Sequence, residues 1–161
     1  MCVEDAKFNF ALARAAIVDA SNFGYRIARD VLSSFGFRDI TGFESANQAV
    51  AKLALMPVDL VLCDPFPKVE ESYAMLRRLR EPRFGETSLA PIIIMTGSVS
   101  IDIVEGAKAC RADYVIAKPY SPQTLLERII WAANHVGRRD APTAPHVELA
   151  TAESHEIVEL W

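Results

Sequence analysis

The sequence has few of the features that direct a chain to a membrane, a metal cluster or a nucleic acid. Three of its 161 residues are cysteines, and Cys2, Cys63 and Cys110 are too widely spaced for a zinc motif and odd in number for a disulfide framework. No apolar run approaches the roughly 20 residues of a membrane span. The net charge of −4 provides no basic surface for DNA or RNA. We therefore expect neither a membrane nor DNA as a direct partner.

The N-terminal residues carry Glu4, Asp5 and Lys7 in place of a basic start followed by an apolar run. No signal peptide is expected, and the expected location is cytoplasmic. The apolar share of 51% and the charged share of 24% are typical of a globular protein, and the length fits one domain.

One stretch, residues 58–67, organises the rest of the chain. It is an apolar run that ends in Asp64, with prolines following. Such a run predicts a strand buried on both faces of a parallel sheet, and Cys63 within it is interpreted as a core residue. Ligands of open α/β sheets bind outside the carboxyl ends of the strands. Asp64 is therefore expected where such a fold does its chemistry.

Strand and helix patterns alternate five times along the chain. Strands are predicted at residues 15–18, 37–43, 58–63, 92–95 and 115–117, each followed by a helical pattern. The alternation predicts an α/β domain of the doubly wound, flavodoxin-like (βα)5 type, with a five-stranded parallel sheet and helices on both faces. Four polar residues then meet at the carboxyl edge of the sheet. They are Asp19, Asp64, Thr96 and Lys118.

Local signals predict how individual helices begin, pack and end. Asn22 is expected to cap the first helix, with apolar residues at every fourth position from 23 to 35 facing the core. Gly36 is placed to end that helix in the left-handed conformation. The arginines at positions 77, 78 and 80 of the third helix are interpreted as a solvated face.

The polar set at the sheet edge suits phosphoryl transfer to an aspartate. A carboxylate is able to attack phosphorus and form an acyl phosphate. The transferred group carries spread negative charge, which a lysine, a hydroxyl and a divalent cation offset. Magnesium prefers hard oxygen ligands and keeps several waters, so Asp19 and Asp64 are candidate ligands.

The order and spacing of five short motifs resemble the receiver domains of two-component response regulators, over about residues 12–137. The matching segments are Ile17 to Asp19 with Arg26, Gly36 with Phe37, Pro57 to Asp64, Pro91 to Gly97, and Ala112 to Pro119. The resemblance implies that Asp64 accepts the phosphoryl group, that Thr96 and Lys118 bind its oxygens, and that Asp19, Asp64 and the Phe66 carbonyl hold Mg²⁺. It also implies a non-enzymatic signalling module.

By the same resemblance, the phosphoryl donor is a histidine kinase or a histidine phosphotransfer protein. The output is contact with a downstream protein through the fourth and fifth helices and the strand between them, and a homodimer is left open.

Three departures from the family pattern leave a second interpretation open. Ala20 stands where the family usually has a second acid, and the loop at residues 64–67 is one residue shorter than usual. Val115 takes the place of an aromatic that normally changes rotamer, with Tyr114 beside it. The alternative is a pseudo-receiver with weak or no Mg²⁺ binding, which binds a protein or a cyclic dinucleotide without phosphorylation. A dehalogenase-type hydrolase is disfavoured, because no acid lies two residues after Asp64.

Residues 138–161 form a tail outside the predicted domain, which spans residues 1–137. Prolines predict a linker at the start of the tail, and arginines 138 and 139 invite comparison with receivers that bind a cyclic dinucleotide. Disorder is the alternative to a short docking helix at the end of the tail. The apolar residues of that helix would be Ile157, Leu160 and Trp161.

Overall fold

The computed structural model describes residues 9–135 and the backbone of two short strands farther along the chain. A parallel sheet forms its centre, and its strands alternate with helices in sequence. The five central strands are β1 (Arg14–Val18), β2 (Asp39–Phe43), β3 (Leu60–Cys63), β4 (Ile92–Thr96) and β5 (Tyr114–Ala117).

Five α-helices connect or follow these strands. They are α1 (Asn22–Ser34), α2 (Ala46–Leu53), α3 (Val69–Leu79), α4 (Ile101–Ala109) and α5 (Pro122–Asn134). The segment Pro82–Leu89 consists of 3-10 turns on either side of Gly85, which has a φ of 59°. Within the described part of the chain, no helix combines the length and the apolar composition that crossing a bilayer requires.

The strand order is β2-β1-β3-β4-β5, and every neighbouring pair among these strands is parallel. The sequence-based prediction of a five-stranded, doubly wound sheet is confirmed. Alternation along β3 explains its unbroken apolar sequence. Leu60 and Leu62 pack on the face covered by α1 and α5, whereas Val61 and Cys63 pack on the face covered by α2, α3 and α4.

Helix α1 differs in two details from the prediction made from the sequence. Its N-cap is Ser21 rather than Asn22, because the Ser21 hydroxyl accepts a hydrogen bond from the Gly24 N–H (3.2 Å). The buried positions are Ala28 and Leu32, while Phe23 is 75% exposed. The small Ala28 side chain lies at the contact with the sheet. The end of the helix is as predicted, since Gly36 has a φ of 105°.

Arg80 also differs from the prediction made from the sequence, because its side chain is buried rather than solvated. Its guanidinium forms a 3.2 Å ion pair with Asp113, and the two side chains are 3% and 8% exposed. The same guanidinium donates to the carbonyl oxygens of Ser88, Ala90 and Arg111. Asp113 in turn accepts from the Ile92 N–H (2.8 Å). This network ties the end of α3 to the starts of β4 and β5.

Two strands of the tail continue the sheet beyond β5. The first, β6 (His146–Glu148), pairs in parallel with β5, and β7 (Ile157–Val158) pairs with β6 in antiparallel fashion. Ile157 is thus in a strand where the sequence predicts a helix. Residues 138–139 and 159–161 lie outside the described residues, and the domain boundary at residue 137 stays a prediction.

Candidate functional site

The carboxyl ends of β1, β3 and β5 bring three charged side chains together. Asp19, Asp64 and Lys118 each come directly after one of these strands. Backbone hydrogen bonds fix their positions, because the Asp64 N–H donates to the Val18 carbonyl (2.9 Å) and the Lys118 N–H to the Thr96 carbonyl (2.7 Å). The meeting of these residues, which lie far apart in sequence, follows from the parallel topology.

Lys118 connects the two carboxylates. Its Nζ lies 2.7 Å from Asp64 Oδ2 and 3.2 Å from Asp19 Oδ2. Burial lowers the pKa of Lys118, but hydrogen bonds and charge from Asp64 and Asp19 outweigh burial and raise this pKa above its ordinary value. The lysine therefore keeps its positive charge at neutral pH. It is positioned to pair with negative charge that develops on a group bound to Asp64.

The Asp19 carboxylate is buried, and both of its oxygens accept hydrogen bonds. It is 3% exposed, and its Oδ1 accepts a 2.8 Å hydrogen bond from the Ser21 N–H while Oδ2 accepts from Lys118. Gly24 of α1 packs against this carboxylate so closely that an added Cβ would overlap Asp19 Oδ2. The glycine therefore allows α1 to lie next to the acid.

Gly24→Ala is expected to destabilise the fold and displace Asp19. Overpacking of a well-packed contact costs about 1–3 kcal/mol, and here the group that must move is a buried carboxylate. Urea unfolding measures the loss. Gly97→Ala is the matched control, since nothing lies within 4 Å of an added Cβ there. Equal stability of the two variants would contradict the packing that we describe.

Asp64 is more accessible than Asp19, with 15% of its side chain exposed. Its Oδ1 accepts a 3.0 Å hydrogen bond from the Phe66 N–H. The loop at residues 64–67, hereafter the acceptor loop, is also tied to α3, because the Ser72 hydroxyl donates to the Pro65 carbonyl (3.1 Å). The sequence does not mark this serine as functional, because it occupies an ordinary helical position with no motif around it.

Thr96 lies at the end of β4 and is fully buried. Its hydroxyl donates to the Ser98 carbonyl and accepts from the Ser98 N–H, at 3.1 Å each. The hydroxyl is thus paired with its own turn in this structure. To bind a group on Asp64 it has to exchange these local hydrogen bonds for new ones. The N-cap of α4 is Ser100, two residues farther along the chain.

Tyr114 and Val115, two neighbouring residues of β5, lie on opposite faces of the sheet. Val115 is fully buried beside α4, whereas Tyr114 packs on the other face, edge-on against Trp131 with 5.1 Å between ring centroids. Because successive residues of a strand alternate between faces, Tyr114 does not replace the aromatic that the family usually has at position 115. Val115 itself is β-branched and restricted at χ1.

Two carboxylates at the site match the oxygen ligands that Mg²⁺ prefers. Asp19, Asp64 and the Phe66 carbonyl would hold the ion, with waters completing its shell in place of an acid at Ala20. Such an ion would supply positive charge to the phosphoryl oxygens. Among the described residues, no group of three or more acidic, histidine or cysteine side chains is arranged to hold a metal ion. At this site the ion would therefore have at most two carboxylate ligands, Asp19 and Asp64.

Neither of the two cysteines in the described part of the chain has a part in the site. Cys63 and Cys110 are free and buried, and burial raises the pKa of both thiols, that of Cys110 to about 11. Cys2 lies outside the described residues.

The response regulator receiver domain family matches residues 15–130, which is most of the chain. The chain belongs to this family. Chemotaxis protein CheY1 of Helicobacter pylori is similar, with 28% identity over 115 residues that make up 70% of this chain and 90% of that protein. The resemblance stated from the sequence motifs is therefore confirmed.

Solved structures agree on the fold. A CheY-like receiver domain protein of Methanospirillum hungatei has a TM-score of 0.67 at 23% identity, covering 79% of this chain and 98% of that chain. Chemotaxis response regulator CheY4 of Vibrio cholerae has a TM-score of 0.65 at 22% identity, covering 74% and 98% of the two chains.

Receiver domains belong to two-component signalling and are generally signalling modules rather than enzymes. As a family they accept a phosphoryl group on an aspartate, bind Mg²⁺ at that site and interact with histidine kinases or phosphotransfer proteins.

Proposed function

We propose that this receiver domain accepts a phosphoryl group on Asp64 from a histidine kinase or histidine phosphotransfer protein, and that it signals by binding a downstream protein. The observation that supports this most strongly is the 2.7 Å pair between Lys118 and the partly exposed Asp64 at the carboxyl edge of the sheet. Asp64 is the carboxylate of the site with access to solvent, since Asp19 is buried. A cytoplasmic location fits this function and stays a prediction.

In the proposed transfer, an Asp64 carboxylate oxygen attacks the phosphorus of a phosphohistidine. An O–P bond forms while the N–P bond breaks, and the electron pair of that bond stays on the imidazole nitrogen. Lys118 moves from the carboxylate to an oxygen of the arriving group, where its charge is needed. The Thr96 hydroxyl breaks its hydrogen bonds with Ser98 and donates a hydrogen bond to another phosphoryl oxygen.

The test is phosphoryl uptake from acetyl phosphate with millimolar Mg²⁺, read by intact mass. We expect the wild-type chain to gain one phosphoryl group and Asp64→Asn to gain none. Asp59→Asn, at the opposite end of β3 and paired with Arg14, is the matched control and should keep the gain. A wild-type chain without any gain would refute the proposed function.

A pseudo-receiver that binds its partner without phosphorylation is the second candidate. It is favoured by Ala20, which stands in place of a second acid, and by the position of Lys118, whose ammonium forms ion pairs with both carboxylates. In that case Asp64→Ala leaves partner binding unchanged, whereas the phosphorylation-dependent function predicts loss of the regulated binding. Arginines 138 and 139, which suggest a cyclic dinucleotide, lie outside the described residues.

A further inference from the structure

The acceptor loop and α4 are connected through two consecutive residues of α3. Ser72 and Tyr73 are 7% and 3% exposed, and their side chains leave the helix in different directions. The Ser72 hydroxyl reaches back to the Pro65 carbonyl (3.1 Å), directly after Asp64. The Tyr73 hydroxyl reaches forward to the Ile103 carbonyl of α4 (2.6 Å). Both connections lie within one turn of α3.

The contact between Tyr73 and α4 is unusually close. The aromatic ring occupies the space beside Gly106, where an added Cβ would overlap ring carbons of Tyr73. Burial also raises the pKa of the Tyr73 phenol, so the hydroxyl remains a donor at neutral pH. Because the ring packs against α4 and its hydroxyl bonds to Ile103, a displacement of Tyr73 should displace α4 as well.

A shorter connection between the site and α4 would run along β5, but the β5 side chain beside α4 is not one that changes rotamer easily. Val115 is fully buried beside the same cluster of α3 and α4 residues, and its branched side chain is restricted at χ1. Tyr114 faces the opposite side of the sheet. An aromatic between the sheet and α4 is nevertheless present, and it comes from α3.

We propose that α3 transmits changes at the acceptor loop to α4 through the Ser72 hydroxyl and the Tyr73 side chain. Displacement of the loop pulls on Ser72, α3 shifts as a unit, and Tyr73 carries the shift to the first turns of α4. Tyr73 is a positioning residue in this scheme and touches no reacting atom. The physiological trigger rests on the proposed function, whereas the coupling itself is measurable without phosphate.

The first test uses amide chemical shifts of the full chain. Asp64→Ala removes the acceptor of the Phe66 N–H and of Lys118, and we expect it to shift the amides of residues 103–107. In a Tyr73→Phe background, which removes only the hydroxyl, these shift changes should fall roughly twofold or more. Tyr114→Phe, a buried tyrosine on the other face, is the matched control and should leave them unchanged. Equal shift changes in all backgrounds, or none at α4 in the wild-type background, would overturn the inference.

Ser72 provides a second test of the same route. Ser72→Ala should reduce the response of α4 as Tyr73→Phe does, and Ser72→Thr, which keeps a hydroxyl, should restore it. Treating the wild type and Tyr73→Phe with acetyl phosphate then separates the two proposals. A phosphoryl gain in both proteins with an undiminished α4 response in the variant refutes the route alone. No phosphoryl gain in the wild type refutes the proposed function, while the Asp64→Ala series still decides the route.

Discussion

Lys118→Gln is expected to slow phosphoryl uptake from acetyl phosphate roughly ten- to hundredfold. The substitution keeps a hydrogen-bond donor but removes the charge, and a hydrogen bond to a charged group is worth about 1.5–3 kcal/mol. The pKa of Lys118 is raised in spite of burial, because Asp64 and Asp19 favour its charged form. The same ammonium must stabilise the arriving group, whose negative charge is larger than that of a carboxylate.

The rate is measured by intact mass at several times after mixing. Lys108→Gln is the matched control, because this lysine of α4 pairs with the exposed Glu105 away from the site. It should react at the wild-type rate. Uptake by Lys118→Gln within twofold of the wild type would mean that the lysine supports the fold of the site and not the transfer.

Arg80→Met is expected to lower the free energy of unfolding by about 3–5 kcal/mol. Removing one partner of a buried ion pair leaves the other without compensation, and Asp113 is 8% exposed. The carbonyl oxygens that accept from the guanidinium also lose a donor. Because Asp113 holds the start of β4 through the Ile92 N–H, the damage should extend to the sheet.

Urea unfolding measures this loss, with Arg78→Met as the control on the exposed face of the same helix. The control should change stability only slightly. The double variant Arg80→Met with Asp113→Asn should recover part of the loss, because no unpaired charge then remains buried and the side-chain oxygen at position 113 still accepts from the Ile92 N–H. A loss below about 1 kcal/mol for Arg80→Met would show that Arg80 is not the buried partner that we describe.

The sequence predicts the sheet and the edge where its chemistry lies, because both depend on strong local patterns. The apolar run before Asp64 reads as a fully buried strand, and parallel topology then requires Asp19, Asp64 and Lys118 to meet. Gly36 is predictable for a similar reason, since a helix end in the left-handed conformation favours glycine. These features need no knowledge of side-chain partners.

The remaining features depend on partners that are distant in sequence. Arg80 lies in the same arginine-rich segment as the exposed Arg77 and Arg78, so the local sequence does not distinguish it from them. It is buried because it pairs with Asp113, which lies outside α3. Phe23 continues an apolar period along α1 but is exposed, because Ala28 and Leu32 define the contact with the sheet. Likewise, nothing in the sequence marks Ser72 and Tyr73 as the connection between the acceptor loop and α4.

The most direct test of the central claim is to locate the phosphoryl group. Borohydride reduces an acyl phosphate of aspartate to homoserine, which peptide mass spectrometry locates by residue. After treatment with acetyl phosphate and Mg²⁺, we predict homoserine at position 64 and an unchanged aspartate at positions 19 and 59. Homoserine at another position, or none at any position, would contradict the assignment of Asp64 as the phosphoryl acceptor.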